Sequence, residues 1–225
     1  MTVALFAIGA TAAAGLIPLL LRTLVDPQFR IWPPPQPGSW QSRVFWTLFR
    51  TLNVMALATA LLDRSSNALQ LPAELRIAGL AGFAIGGVIY GYALFALGKS
   101  NTYCNQDGLV THGIYRWTRN PQYATIIPVY VLLAIATDSG FTYILSAALV
   151  VVYTLMALVE EPWLEAAYAD AYRRYCRRVP RFFNWGRLGV LAQGQIRRLA
   201  RLSRQRFGNC YPQGSAANDF NRRLS

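Results

Sequence analysis

Charge is scarce in this sequence. Only 14% of its residues are Asp, Glu, Lys or Arg, where a soluble domain carries about a quarter. The shortage excludes an ordinary water-facing surface and points to another solvent. Cysteine and histidine are scarcer still. The cysteines are Cys104, Cys176 and Cys210, the one histidine is His112, and they form no CxxC pair and no Cys/His cluster. An odd cysteine count beside a lone histidine argues against a disulfide framework and a zinc site, so no metal is expected. The N-terminus lacks the basic n-region of a secretory signal peptide. Its apolar run, residues 3–21, therefore reads as a retained first membrane span.

Acidic residues are missing where basic ones abound. Over residues 164–225, 13 arginines face only Glu165, Asp170 and Asp219, so this stretch carries +10 of the net +12. Nucleic acid is one partner for such a tail. Anionic lipid is the other, with each basic residue near the surface contributing about 1 kcal/mol. Several apolar segments lie upstream, so the lipid bilayer is the expected partner and nucleic acid is not.

What the sequence has in quantity is apolar length. A crossing helix needs ~20 mostly apolar residues. Five stretches qualify or come close, at about residues 3–25, 44–62, 77–97, 123–136 and 141–159. The connector after the first holds Trp32-Pro33-Pro34-Pro35 and Pro37-Gly38, which cannot be regular helix because proline lacks the amide donor and clashes with the preceding turn. Trp32, Trp40 and Trp46 suit an interfacial belt there. In the second span Arg50 and Asn53 share a helical face. Arg50 reads as snorkelling to the interface, with a ligand contact as the alternative. In the third, Gly82 and Gly86, then Gly87 and Gly91, are spaced by four, a pattern that lets helices approach closely in lipid. The fourth is short for a full crossing, and Asn120-Pro121 would start it inside the membrane boundary. The short link Thr137-Asp138-Ser139-Gly140 makes the fourth and fifth an antiparallel hairpin. Basic residues gather in the first loop (Arg22, Arg30, Arg43), the third (Lys99, Arg116, Arg119) and the tail, against Arg64 and Arg76 in the second. The positive-inside rule then places the N-terminus outside and the C-terminus in the cytoplasm.

After Glu161 an amphipathic helix is expected, with Pro162 in its first turn and Tyr168, Tyr172 and Tyr175 at i, i+4, i+7. Such a helix lies in the interface or caps the bundle. The expected fold is thus all-α: a polytopic membrane protein of about five transmembrane helices, with a C-terminal amphipathic helix capping a cytoplasmic-side pocket. Its parts would be a three-span region over 1–98, a core over 99–185, and a basic tail over 186–225, mobile at its end.

Polar chemistry crowds onto one side. The stretch 107–123 is dense in groups that hydrogen-bond or stack, yet two spans bound it. Glu160-Glu161 sits at the inner end of the fifth span, where two carboxylates are costly without partners. The tyrosine stripe and Val179-Pro180-Arg181 follow. Leu109-Val110-Thr111-His112-Gly113-Ile114-Tyr115, Arg119-Asn120-Pro121-Gln122-Tyr123, Glu160-Glu161, and Tyr168, Tyr172, Tyr175, Val179-Pro180, in that order around a helical hairpin, resemble the isoprenylcysteine carboxyl methyltransferase and phospholipid methyltransferase superfamily. The resemblance covers roughly residues 99–183. It implies a membrane methyltransferase that uses S-adenosylmethionine on a hydrophobic or lipid-borne acceptor.

Carried over by position, the resemblance implies cofactor contacts at Asp107, Gly108, Leu109, Val110, Tyr115, Asn120, Pro121, Gln122, Tyr123 and Glu160. Arg119 would pair with the cofactor carboxylate, Glu160 would accept from its ammonium or ribose, and Tyr115 or Tyr123 would stack on adenine or face the sulfonium. For an amine or thiol acceptor, His112 or Glu161 is the nearest group to take a proton. Two departures stand out. Asn120 replaces the family's usual histidine, keeping donor and acceptor ability. Met156 stands where eukaryotic isoprenylcysteine enzymes carry an arginine linked to the substrate carboxylate, which argues against a prenylcysteine substrate. A sterol-type membrane reductase using NADPH, and a non-enzymatic scaffold or transporter subunit, are the alternative readings.

Overall fold

The structure, a computed structural model, describes residues 1–63, 67–98, 101 and 108–182. The chain divides into two units, Met1–Phe183 and Asn184–Ser225, and the description concerns the first. The expected mobile tail with Cys210, and also Arg64, Lys99, Cys104 and Asp107, lie outside the described residues.

Among the described residues the fold has five α-helices: α1 (Thr2–Val25), α2 (Trp40–Leu62), α3 (Ala73–Leu97), α4 (Pro121–Thr137) and α5 (Gly140–Arg178). A single 3-10 turn, Gly113–Arg116, precedes α4, and there is no strand among the described residues. Local chemistry sets the starts. Ser39 caps α2 by accepting from the Ser42 amide at 3.3 Å, and Ser139 caps α5 by accepting from the Thr142 amide at 3.2 Å. Pro121 opens α4, where its missing donor costs nothing. Helices α1, α2, α3 and α5 are long and apolar enough to cross a membrane, while α4, at 17 residues, is shorter. Large apolar side chains such as Val3, Leu61, Ile77, Val88 and Phe95 point outward, as in a multi-pass membrane protein whose solvent is lipid.

Helix α5 is the central post. It packs on α1, α2 and α4, while α1 pairs with α2 and α3 with α4. Leu16, Leu20, Phe45, Leu52, Leu145, Leu149 and Val152 are fully buried at its contacts. The α3–α4 seam depends on missing side chains. A Cβ at Gly79 would meet the Ala136 amide nitrogen at 2.9 Å, and one at Gly86 would meet Val129 Cγ2 at 2.6 Å. Gly82 faces Leu132 in the same row. The expected second pair, Gly87 and Gly91, has nothing within 4 Å. Each residue turns about 100° around the helix, so a pair shifted by one position leaves the seam.

The expected amphipathic helix does not start at Pro162; the span Gly140–Arg178 is two helices joined across a kink, and the second, with Tyr172 and Tyr175, begins after it. Helix α5 runs through Pro162, and its backbone leaves helical geometry at Ala169 (φ 42°, ψ −120°). At the other end of the hairpin, Asp138 takes a left-handed conformation (φ 50°, ψ 38°). Its carboxylate accepts from the Leu69 and Leu71 amides, each at 3.0 Å, and from the Tyr143 hydroxyl at 3.1 Å. Burial works to raise its pKa, but these bonds and nearby Arg76 hold it below the usual carboxylate range.

Candidate functional site

A cavity of about 230 Å³ lies at the end of the hairpin away from Asp138. The loop before α4 supplies Gly108, Leu109, Val110, Tyr115, Arg119 and Asn120 to its wall, and α4 supplies Gln122 and Tyr123. Helix α5 adds Tyr153, Met156, Glu160, Trp163, Leu164 and Tyr168, then Tyr172 and Tyr175 beyond its break.

Why these pieces meet is visible in the backbone. The Arg119 amide donates to Pro180 O at 2.9 Å, and Thr118 Oγ1 donates to Arg181 O at 3.0 Å. Asn120 Nδ2 donates to the same Arg181 carbonyl at 3.3 Å. The Tyr175 hydroxyl donates to Tyr115 O at 2.6 Å. These bonds tie the loop to the end of α5 and the segment after it, so residues about 60 apart in sequence wall one space. Tyr115 donates in turn to Gln122 Oε1 at 3.0 Å. Burial first, then the charges of Glu160 and Tyr175, raise the Tyr115 pKa far above the usual phenol range, so its hydroxyl stays a proton donor.

Glu160 is the buried charge of the site, and its Oε1 accepts twice. Tyr123 donates from its hydroxyl at 2.5 Å and Trp32 from its indole Nε1 at 2.8 Å. No hydrogen bond among the described residues ends on Oε2. Arg119 is placed differently. Its Nη2 pairs with Glu161 Oε1 at 3.2 Å and its Nη1 meets Cys176 Sγ, while its Nε is buried with no hydrogen-bond partner among the described residues. Arg181 grips the same Glu161 in a two-point fork, at 2.8 Å and 2.5 Å. Glu161 is therefore held between two guanidiniums and is not part of the cavity wall. Arg181 has its pKa raised by the hydrogen bond to Glu161, which keeps the fork fully charged.

Of the residues expected at the site, Gly108, Leu109, Val110, Tyr115, Asn120, Gln122, Tyr123, Glu160 and Arg119 share this one cavity. Pro121 is buried at the start of α4 but is not in the wall. His112 is exposed and outside it, and Asp107 lies outside the described residues. The first half of the chain contributes more than sequence reasoning assigned to it. Trp32, Trp46, Phe49, Tyr90, Leu94 and Leu97 all line the cavity. Trp32, expected only in an interfacial belt, is buried, stacked on Phe45 with ring centroids 4.3 Å apart, and bonded to Glu160. Its place in a proline-rich connector carried no signal of that contact.

The donor set suits a ligand that carries both charge and aromatic surface. A buried guanidinium nitrogen lacks an acceptor, a buried carboxylate has one oxygen uncommitted, and tyrosine and tryptophan rings form much of the wall. Residues 75–171 match the family model for phospholipid methyltransferase. The match runs from α3 to just past the break in α5, so it takes in the hairpin, the loop and Glu160. It bears out the resemblance to the isoprenylcysteine carboxyl methyltransferase and phospholipid methyltransferase superfamily and indicates a membrane methyltransferase. No curated protein and no solved structure matches the chain.

Proposed function

On the premise of the phospholipid methyltransferase match over residues 75–171, we propose that the chain transfers a methyl group from S-adenosylmethionine to a lipid-borne acceptor. The observation that carries this reading is the meeting of Glu160 and the Arg119-Asn120 segment at one aromatic-walled cavity. S-adenosylmethionine, when bound, supplies a methyl already activated by a sulfonium. The chain's part is to bind, align and keep the site dry. Arg119 would offer its unpartnered Nε edge to a carboxylate. Glu160 would accept from an ammonium or a ribose hydroxyl through Oε2, while Tyr123 and Trp32 hold Oε1 in place. Tyr115, Tyr123 and Tyr153 provide faces for adenine and for a cation. Gly108, Leu109, Val110, Asn120 and Gln122 would shape the rest of the cradle, with Pro121 setting the start of α4.

Glu161 is assigned a positioning role in this scheme. Both its oxygens are engaged by Arg181 and Arg119, so it orients Arg119 and is poorly placed to take a proton. His112, being exposed, would take one only from an acceptor that reaches it from the membrane surface. The family's name suggests a phospholipid acceptor, and Met156 in the wall agrees in offering no charge to a prenylcysteine carboxylate. We place the cavity and the C-terminus on the cytoplasmic side, following the basic loops, with the 99–185 segment as the core of the site and residues 1–98 lending it one wall.

Titration of the purified protein in detergent tests the reading. S-adenosylmethionine and its demethylated product are expected to bind and NADPH is not. Binding of NADPH alone would overturn it in favour of a reductase. Lipid mass spectrometry with and without the protein should then show the gain of one methyl.

A further inference from the structure

Arg50 stands at the eleventh position of the 23-residue helix α2, well inside its apolar length. It is exposed, and it makes no ion pair and no hydrogen bond among the described residues. Charge at this depth is costly unless it meets a counter-charge or reaches the interface. Its guanidinium leans back one turn and rests over the Trp46 ring, 5.2 Å from the centroid. Helical side chains point toward the N-terminus, so the charge comes to the level of Trp46. That ring is half-buried and also lines the cavity. Trp46, Phe49, Arg50 and Asn53 follow at i, i+3, i+4, i+7 and form one stripe. Trp46 and Phe49 belong to the cavity wall, and Asn53 accepts from the hydroxyl of Tyr153, another wall residue, at 2.8 Å.

Within the cavity wall the only cation among the described residues is Arg119, already paired with Glu161. Its remaining edge is taken by the cofactor carboxylate on the methyltransferase reading, so an oxyanion on the acceptor needs another counter-charge. Arg50, outside the cavity wall but resting on the Trp46 ring that belongs to it, supplies one. We propose that Arg50 holds the phosphodiester of the acceptor lipid, fixing it so that the headgroup beyond the phosphate passes Trp46 into the cavity. This rests on the methyltransferase reading and adds a specificity-determining residue to it. The guanidinium matches a phosphate with two parallel hydrogen bonds, and the indole beneath keeps it flat and partly dehydrated.

Native mass spectrometry of the full chain in detergent tests the assignment, with dioleoyl phosphatidylethanolamine, dioleoyl phosphatidylglycerol and dioleoylglycerol as probes. Arg50→Gln should weaken both phospholipids about tenfold, the scale of a hydrogen-bonded charge pair, and leave dioleoylglycerol unchanged. Arg50→Lys, a point charge without the fork, should fall between. S-adenosylmethionine affinity should be the same in all three proteins, since Arg50 is outside the cavity. Equal phospholipid binding by wild type and Arg50→Gln overturns the proposal, and so does an equal loss of all three lipids, which would mark a packing defect. Failure of wild type to bind S-adenosylmethionine, with the phospholipid difference intact, would sink the methyltransferase reading and leave the lipid site standing.

Discussion

The two ends of the α4–α5 hairpin each bury a carboxylate, and each end treats it differently. Asp138 has both oxygens engaged, by the Leu69 and Leu71 amides and by Tyr143, and it knits the α2–α3 connection to the hairpin turn. Glu160 receives only side-chain donors, both on one oxygen, beside a cavity. A carboxylate saturated by backbone amides has little left to give a ligand, and its work is to hold the fold. A carboxylate half-satisfied by aromatic side chains keeps capacity for something that arrives later. Arg119 repeats the pattern at the same end, with one edge paired and one nitrogen orphaned. Both ends bury charge; the incomplete set of partners is what separates the cavity end from the turn.

Substitutions can break that contrast. The largest effect should come from Glu160→Ala, which is expected to weaken S-adenosylmethionine about a hundredfold, the scale of a charged hydrogen-bonding pair lost twice over. Calorimetry in detergent would measure it, with the thermal midpoint nearly unchanged. Asp138→Ala should do the reverse, lowering the midpoint by about 5 °C or more with cofactor affinity intact. Its pH signature is predictable in sign. The folded carboxylate titrates below its unfolded value, so its contribution is present above about pH 4 and is lost as pH falls through the lower folded value. Asp138→Asn should flatten that acid limb of a pH–stability curve. A loss of cofactor affinity without a loss of stability in Asp138→Ala would erase the distinction between the two ends.

Smaller effects sharpen the same picture. Gly86→Leu should destabilise by about 1–3 kcal/mol through overpacking, because a Cβ there already meets Val129. Gly87→Leu, facing open space, should change denaturation by no more than about 0.5 kcal/mol. The supports of Glu160 test the cavity end. Tyr123→Phe should weaken the cofactor about tenfold and Trp32→Phe about threefold, each losing one donor to the carboxylate while keeping a ring. Should Trp32→Phe be silent while Tyr123→Phe is not, the connector merely fills space.

Much of this was legible in the residues. The apolar runs gave the helices, the short Thr137-Asp138-Ser139-Gly140 link gave the hairpin, and the 107–123 stretch with Glu160 gave most of the cavity-lining residues predicted for the site. Trp32 was not legible in that way. A tryptophan in a proline-rich connector looks the same whether it floats at an interface or reaches a carboxylate 128 positions away. Glu160 and Glu161, adjacent in sequence, were told apart only by the resemblance, one as a cofactor contact and the other as a proton acceptor, and no local pattern gave their partners. One faces Trp32 and Tyr123, the other two arginines. Of two identically spaced glycine pairs, only the one turned toward α4 packs.

The sequence by itself determined the solvent, the helices and the resemblance to a methyltransferase superfamily. Hydropathy, caps and prolines act over a few neighbouring residues, and a motif is read in chain order. Only the tertiary structure decided which carboxylate is clamped, which has one oxygen uncommitted beside the cavity, and that the first half of the chain helps to wall it. Those outcomes depend on which distant segments touch, and contact between helices is set by how their faces pack, which no local pattern records.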